Sequence, residues 1–128
     1  MNSRIKPAAL IVGATIVALA GFSAISFAQA PKKAAPVTYK QVQTIFDAKC
    51  TKCHHGAEPP AKMNLETYVG VTKGNDHGPV VSAGHPEKSL LYQVITATGK
   101  KLMPPKSPLP KADIALIQAW IKGGAKGK

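Results

Sequence analysis

Apolar residues recur at helical spacing in several stretches of the chain. Val42, Ile45 and Phe46, with Lys49 closing the same stripe, stand at i, i+3, i+4 and i+7 and predict a helix over about Tyr39 to Lys49. Leu65, Tyr68 and Val69 share one side of a short helix expected over Asn64 to Val71. Leu90, Leu91, Val94 and Ile95 predict a third helix. It opens at His85-Pro86-Glu87, where proline suits the first helical position and glutamate the helix dipole, and it ends before Gly99. The last helix is the best marked. Pro110 opens it, Asp113 sits in its first turn, Ile114, Ile117, Trp120 and Ile121 form its stripe, and Gly123-Gly124 stop it.

Between these stretches the chain reads as loop. Gly56, Pro59 and Pro60 punctuate the segment after the first helix, and Lys73 to Gly84 is glycine-rich and irregular. Lys101 to Pro110 holds four prolines and excludes a helix there. No alternating apolar pattern or internal repeat stands out. The expectation is an all-α domain of three to four helices with long loops.

The N-terminus carries a different pattern. Arg4 and Lys6 precede an apolar run from about Ala8 to Phe27, and Ala28-Gln29-Ala30 has the form of a cleavage site. Residues 1–30 are therefore read as an export signal. The run approaches the roughly 20 residues that span a bilayer, which leaves an uncleaved membrane anchor as the alternative. Either reading places the remainder outside the cytoplasm, in the periplasm. Residues 31–38 read as a Pro/Lys/Ala linker and 39–125 as the domain. The 98 residues after Ala30 suffice for one domain with a modest core, a size that gains from a tethered apolar ligand.

Candidate chemistry concentrates at Cys50-Thr51-Lys52-Cys53-His54. Two thiols three positions apart lie on one helical face, where each can add to a vinyl group of a porphyrin, and the adjacent imidazole can ligate its iron. In an exported chain the default for two cysteines is a disulfide, but a Cys50–Cys53 bridge closes a very small ring and stabilises little. A redox dithiol lacks its βαβ setting, and a zinc site lacks two further ligands at a finger-like spacing, although His54, His55, His77 and His85 are present. The motif thus points to one covalently attached haem c.

A haem iron held by His54 needs a sixth ligand, water or nothing. Met103-Pro104-Pro105 lies in the proline-stiffened loop between the third and fourth helices and can reach the ring face opposite His54. A thioether there raises the reduction potential and closes the iron to small molecules. Met63 reads as core packing, His55 and His85 as surface groups, and His77 has no assigned role; His77 or His85 is the fallback ligand. A carbonyl beside Pro59 or Pro60 is expected to accept the second ring nitrogen of His54. Tyr68, Tyr92 and Trp120 read as core residues.

These residues resemble a class I monohaem cytochrome c, and within it the short planctomycete-type cytochrome c domains. The resemblance is carried by Ile45-Phe46 before the cysteine motif, Met63-Asn64-Leu65 with Tyr68, and Gly78-Pro79-Val80-Val81. It continues through Gly84-x-Pro86-Glu87-x-Ser89-Leu90-Leu91-Tyr92, Met103-Pro104-Pro105, and Ile114 to Gly124. It implies a cytochrome c fold, Phe46 packed across Trp120, and His54 and Met103 as axial ligands. His85 departs from the usual Asp of that pattern, and Pro110 from the usual Ser cap.

Charge then narrows the partners. After residue 30 the chain keeps 15 basic and 6 acidic side chains, a net +9 that two haem carboxylates lower to +7. No aromatic-interleaved basic stripe suggests nucleic acid, so an acidic redox protein is the expected partner. Lys49, Lys52, Lys100, Lys101 and Lys106 flank the two candidate haem-binding segments. The functional expectation is a monomeric one-electron carrier that is not an enzyme. The rival readings are a haem enzyme or gas or peroxide sensor with an open sixth position, and a haem-free redox or metal module.

Overall fold

A computed structural model describes residues 35–128. The export signal read over 1–30 and the first part of the linker lie outside the described residues. Four α-helices, and no strands, occur among them: α1 (Tyr39–Lys49), α2 (Tyr68–Lys73), α3 (Leu90–Thr96) and α4 (Lys111–Lys122). The all-α expectation holds. None of these helices is long and apolar enough to cross a membrane.

The helix α1 spans the expected residues. Gln41 reaches back at its start, where its Oε1 accepts from the Thr38 N–H at 2.9 Å, satisfying a donor at the helix entry. Its apolar stripe puts Val42 and Phe46 fully out of solvent against the stripe of α4, from which Ile117, Trp120 and Ile121 are equally buried. Each such side chain contributes about 1.5–3 kcal/mol on burial. Phe46 and Trp120 belong to one core cluster. The ring that Trp120 meets is Tyr39, at 5.7 Å between centroids, and Tyr39 in turn meets Tyr68 edge-on at 5.1 Å. Burial pushes the Tyr39 phenol up to about 12, with Asp47 and Tyr68 adding to the shift.

Helix α4 ends as its glycines predict. Gly124 takes φ +96°, and the Gly124 and Ala125 N–H groups donate back to the Ile121 and Trp120 carbonyls at 2.9 Å each, a Schellman closure. The chain then folds under the aromatic cluster. Tyr68 Oη donates to the Ala125 carbonyl at 3.0 Å and Trp120 Nε1 to that of Lys126 at 2.9 Å. Pro110 precedes the helix with φ −56° and no side-chain cap.

Two elements differ from expectation. The helix expected over Asn64–Val71 begins only at Tyr68. Asn64 Oδ1 accepts from the Glu66 N–H at 2.9 Å and the Leu65 N–H donates to His54 O at 2.9 Å, so these amides are spent outside a helix. Thr67 caps the later start by accepting from Gly70 N–H. As a result Val71 is buried and Val69 is 71% exposed. The third helix is also broken. Pro86–Lys88 form a 3-10 turn, Ser89 is extended, and α3 starts at Leu90. Ser89 is fully buried at this break. Its N–H closes the 3-10 turn on Pro86 O at 2.9 Å, while its hydroxyl donates to the His85 carbonyl at 2.9 Å and accepts from Ser82 N–H at 2.8 Å. That pair ties the 79–84 loop to the head of α3.

Candidate functional site

The last turn of α1 leads straight into the cysteines. The Cys50 N–H and Thr51 N–H both donate to Phe46 O, at 2.8 and 2.9 Å, and the Cys53 and His54 N–H groups both donate to Cys50 O, at 3.1 and 3.0 Å. Cys50, Cys53 and His54 of this turn all line one cavity of about 460 Å³. Ligand pockets usually fall between about 300 and 1,000 Å³. The motif forms one wall. Leu90 and Val94, one turn apart on α3, form another, and Met103, Pro104 and Pro105 a third. Leu90 and Met103 are 42% and 38% exposed because they border this opening rather than the core.

The imidazole is oriented from behind. His54 Nδ1 stands 3.1 Å from the Met63 carbonyl, which can only accept; Nδ1 therefore carries a proton, and in the neutral ring the lone pair is on Nε2. The accepting group is not beside Pro59 or Pro60, as expected, but at Met63. The turn begins at those prolines and runs two residues further, because Ala61 and Lys62 both adopt the left-handed region, at φ 52° and 53°. That reversal brings the Met63 carbonyl round. Its side chain is buried, in keeping with a packing role, yet it also lines the cavity. No residue-type signal marks a carbonyl in advance, so this contact was not legible in the sequence.

The sulfurs differ. Burial pushes the half-buried Cys50 thiol up to about 11, whereas Cys53 is exposed. A protonated thiol is a poor partner for disulfide exchange. Met103 reaches the cavity with only its backbone tied, by an N–H donated to Val94 O at 2.9 Å.

The remaining histidines stand elsewhere. His55 is exposed, His77 faces Asp76 at 3.5 Å in solvent, and His85 pairs with Glu87 at 3.2 Å on the surface. None lines the cavity. Tyr68 and Trp120 spend their polar tips on the C-terminal segment, and Tyr92 packs against the core. Among the described residues no three His, Cys, Asp or Glu side chains gather as a metal-binding group.

The loop after His54 is locked by Glu66. Its carboxylate accepts from the Gly56 N–H and from Asn64 Nδ2, each at 2.9 Å. These two bonds, helped by nearby His55, hold the Glu66 carboxyl below its ordinary 4.5. A depressed folded pKa means that the stabilisation is present above 4.5 and lost as pH falls through the folded value. Glu66→Gln is therefore expected to lower the melting temperature at neutral pH. The difference from the parent chain should close as the melts are taken down in pH through the depressed folded pKa.

The donor set fits a covalent haem. Thiols spaced by one turn, an imidazole with a free Nε2, a thioether and apolar walls share one cavity. Residues 50–107 match the family model described as planctomycete cytochrome c. This segment is similar to the planctomycete-type cytochrome c domains. No curated protein and no solved structure gave a significant match. The matched segment runs from Cys50 to Ser107 and so contains the attachment motif and Met103, while α1 and α4 flank it. A cytochrome c domain implies haem c and a role in electron transfer. Cys50 and Cys53 are the cysteines available to tether it.

Proposed function

We propose that this protein is an exported monohaem c-type cytochrome that carries one electron at a time, with His54 and Met103 as axial ligands. The observation that carries the reading is that both side chains line one cavity beside Cys50 and Cys53. The haem supplies an iron that exchanges a single electron between ferrous and ferric states. The chain's residues do the rest. Cys50 and Cys53 tether the ring, and the Met63 carbonyl keeps His54 in the tautomer that offers Nε2. Met103 offers a soft sulfur that favours the reduced form, and Leu90 and Val94 keep water from the ring. On this reading an iron closed by His54 and Met103 leaves no open position for a substrate, and the protein is a carrier and not an enzyme.

The partner is an acidic redox protein in the periplasm. Lys49, Lys52, Lys100, Lys101 and Lys106 are all exposed, and each lies within a few residues of a cavity-lining position. Such a rim accelerates encounter more than it strengthens the complex. The carrier works as a monomer, held at the membrane only if its N-terminal segment is retained.

Two measurements on the loaded chain test this. A potentiometric titration is expected to show one reversible electron per chain. Electron transfer to an acidic acceptor is expected to slow with added salt, and Lys100→Glu with Lys101→Glu should slow it by about tenfold at low ionic strength. Ready binding of carbon monoxide by the ferrous protein, or of peroxide by the ferric one, would instead support an open-site enzyme or sensor.

A further inference from the structure

Apart from its two cysteines, the cavity is apolar with three exceptions: Lys49, His54 and Asn75. His54 is accounted for, and Lys49 is an exposed, flexible chain at the end of α1. Asn75 is different, because the backbone around it is fixed. Its N–H donates to Gly78 O at 2.9 Å and Gly78 N–H returns to Asn75 O at 3.1 Å. Gly74 enters this turn at φ +86°, where an added Cβ would stand 2.1 Å from Gly78 O, so no other residue fits there unchanged. The next residue, Asp76, donates its N–H to Ala61 O at 3.2 Å, joining the turn to another residue of the cavity wall.

The side chain of Asn75 is oriented too. Its Oδ1 accepts from the His77 N–H at 2.9 Å. A backbone N–H can face only the oxygen of the amide, which leaves the NH2 group without a partner among the described residues. The Nδ2 is not closed off from solvent, and at an apolar wall it is open to an acceptor supplied by the ligand.

We propose that Asn75 is a cofactor-positioning residue whose Nδ2 donates a hydrogen bond to a carboxylate of the haem. It thereby sets which edge of the ring lies against the 74–78 turn. This rests on the haem reading above. An ionised carboxylate beside apolar residues needs such donors, and the bond to an anion is stronger than one between neutral groups.

The test uses the full chain after intact mass has shown attached haem. Asn75→Asp keeps the oxygen that accepts from His77 but replaces the donor with negative charge; Asn75→Ala removes both. The expected order of melting temperature is parent, then N75A, then N75D, with N75D lowest by at least about 4 °C. In NMR of the parent ferrous protein, the Asn75 NH2 protons are expected to exchange slowly and to show Overhauser contacts to a propionate methylene. An N75D variant that melts with the parent and above N75A, or an NH2 that exchanges at solvent rate with no such contact, overturns the proposal alone. A chain with no haem mass overturns the haem reading and this proposal with it. The NMR result stands even if a variant fails to fold.

Discussion

Replacing Cys50 and Cys53 together with alanine is expected to abolish covalent haem attachment and to leave a poorly folded chain. Denaturing mass spectrometry should return the bare polypeptide mass for the double variant and the polypeptide plus one haem for the parent. The structural consequence follows from the cavity. Its volume of about 460 Å³ is large against the core of 94 described residues, and its walls include Leu65, Val80, Leu91 and Ile95, which are also core residues. A domain of this size holds only about 5–15 kcal/mol in all, and cavities in cores cost tens of cal/mol for each Å³. The double variant should therefore show a broad, early melt, with helical signal retained better than the tertiary signal of Trp120. A double variant that keeps its haem through denaturation would contradict the assignment of both sulfurs.

The second large effect concerns Met103. Met103→His is expected to lower the reduction potential by on the order of 0.2 V, within the roughly 0.8 V over which axial ligands set haem potentials. Exchanging a thioether for an imidazole removes the preference for ferrous iron while keeping the site closed. Met103→Ala should open it, giving a ferric form that binds cyanide readily. Met63→Leu is the matched control. Met63 serves through its carbonyl, which the substitution keeps, and its buried side chain is replaced by one of similar volume. Voltammetry of the three variants separates the two methionines. A potential that moves with Met63→Leu and not with Met103→His would reverse the assignment.

How much of this was legible in the sequence depended on what kind of information each feature carries. The helix α1 and the stripe of α4 were visible because long amphipathic periods leave a strong mark, and Gly124 because the left-handed closure of a helix favours glycine. The motif Cys50-x-x-Cys53-His54 and Met103-Pro104-Pro105 were visible as residue types at fixed spacing, and the fold brings both to one cavity. Three features were not. The break before α3 falls at Ser89, whose buried hydroxyl bonds the His85 carbonyl and the Ser82 N–H, and a serine inside an apolar pattern does not announce that. The late start of α2 comes from Asn64 bonding its own loop. The orienting group of His54 is a carbonyl, which every residue has; only the left-handed turn at Ala61 and Lys62 selects that of Met63. In each case a local side-chain or turn conformation overrode the hydrophobic period.

On the proposed reading His54 and Met103 together close a six-coordinate iron. The optical spectrum of the ferric full-length protein at neutral pH tests it most directly. A low-spin spectrum with the methionine–iron charge-transfer band, lost in Met103→Ala and kept in Met63→Leu, is the predicted result. A high-spin ferric spectrum in the parent protein, or a charge-transfer band that survives Met103→Ala, would contradict it.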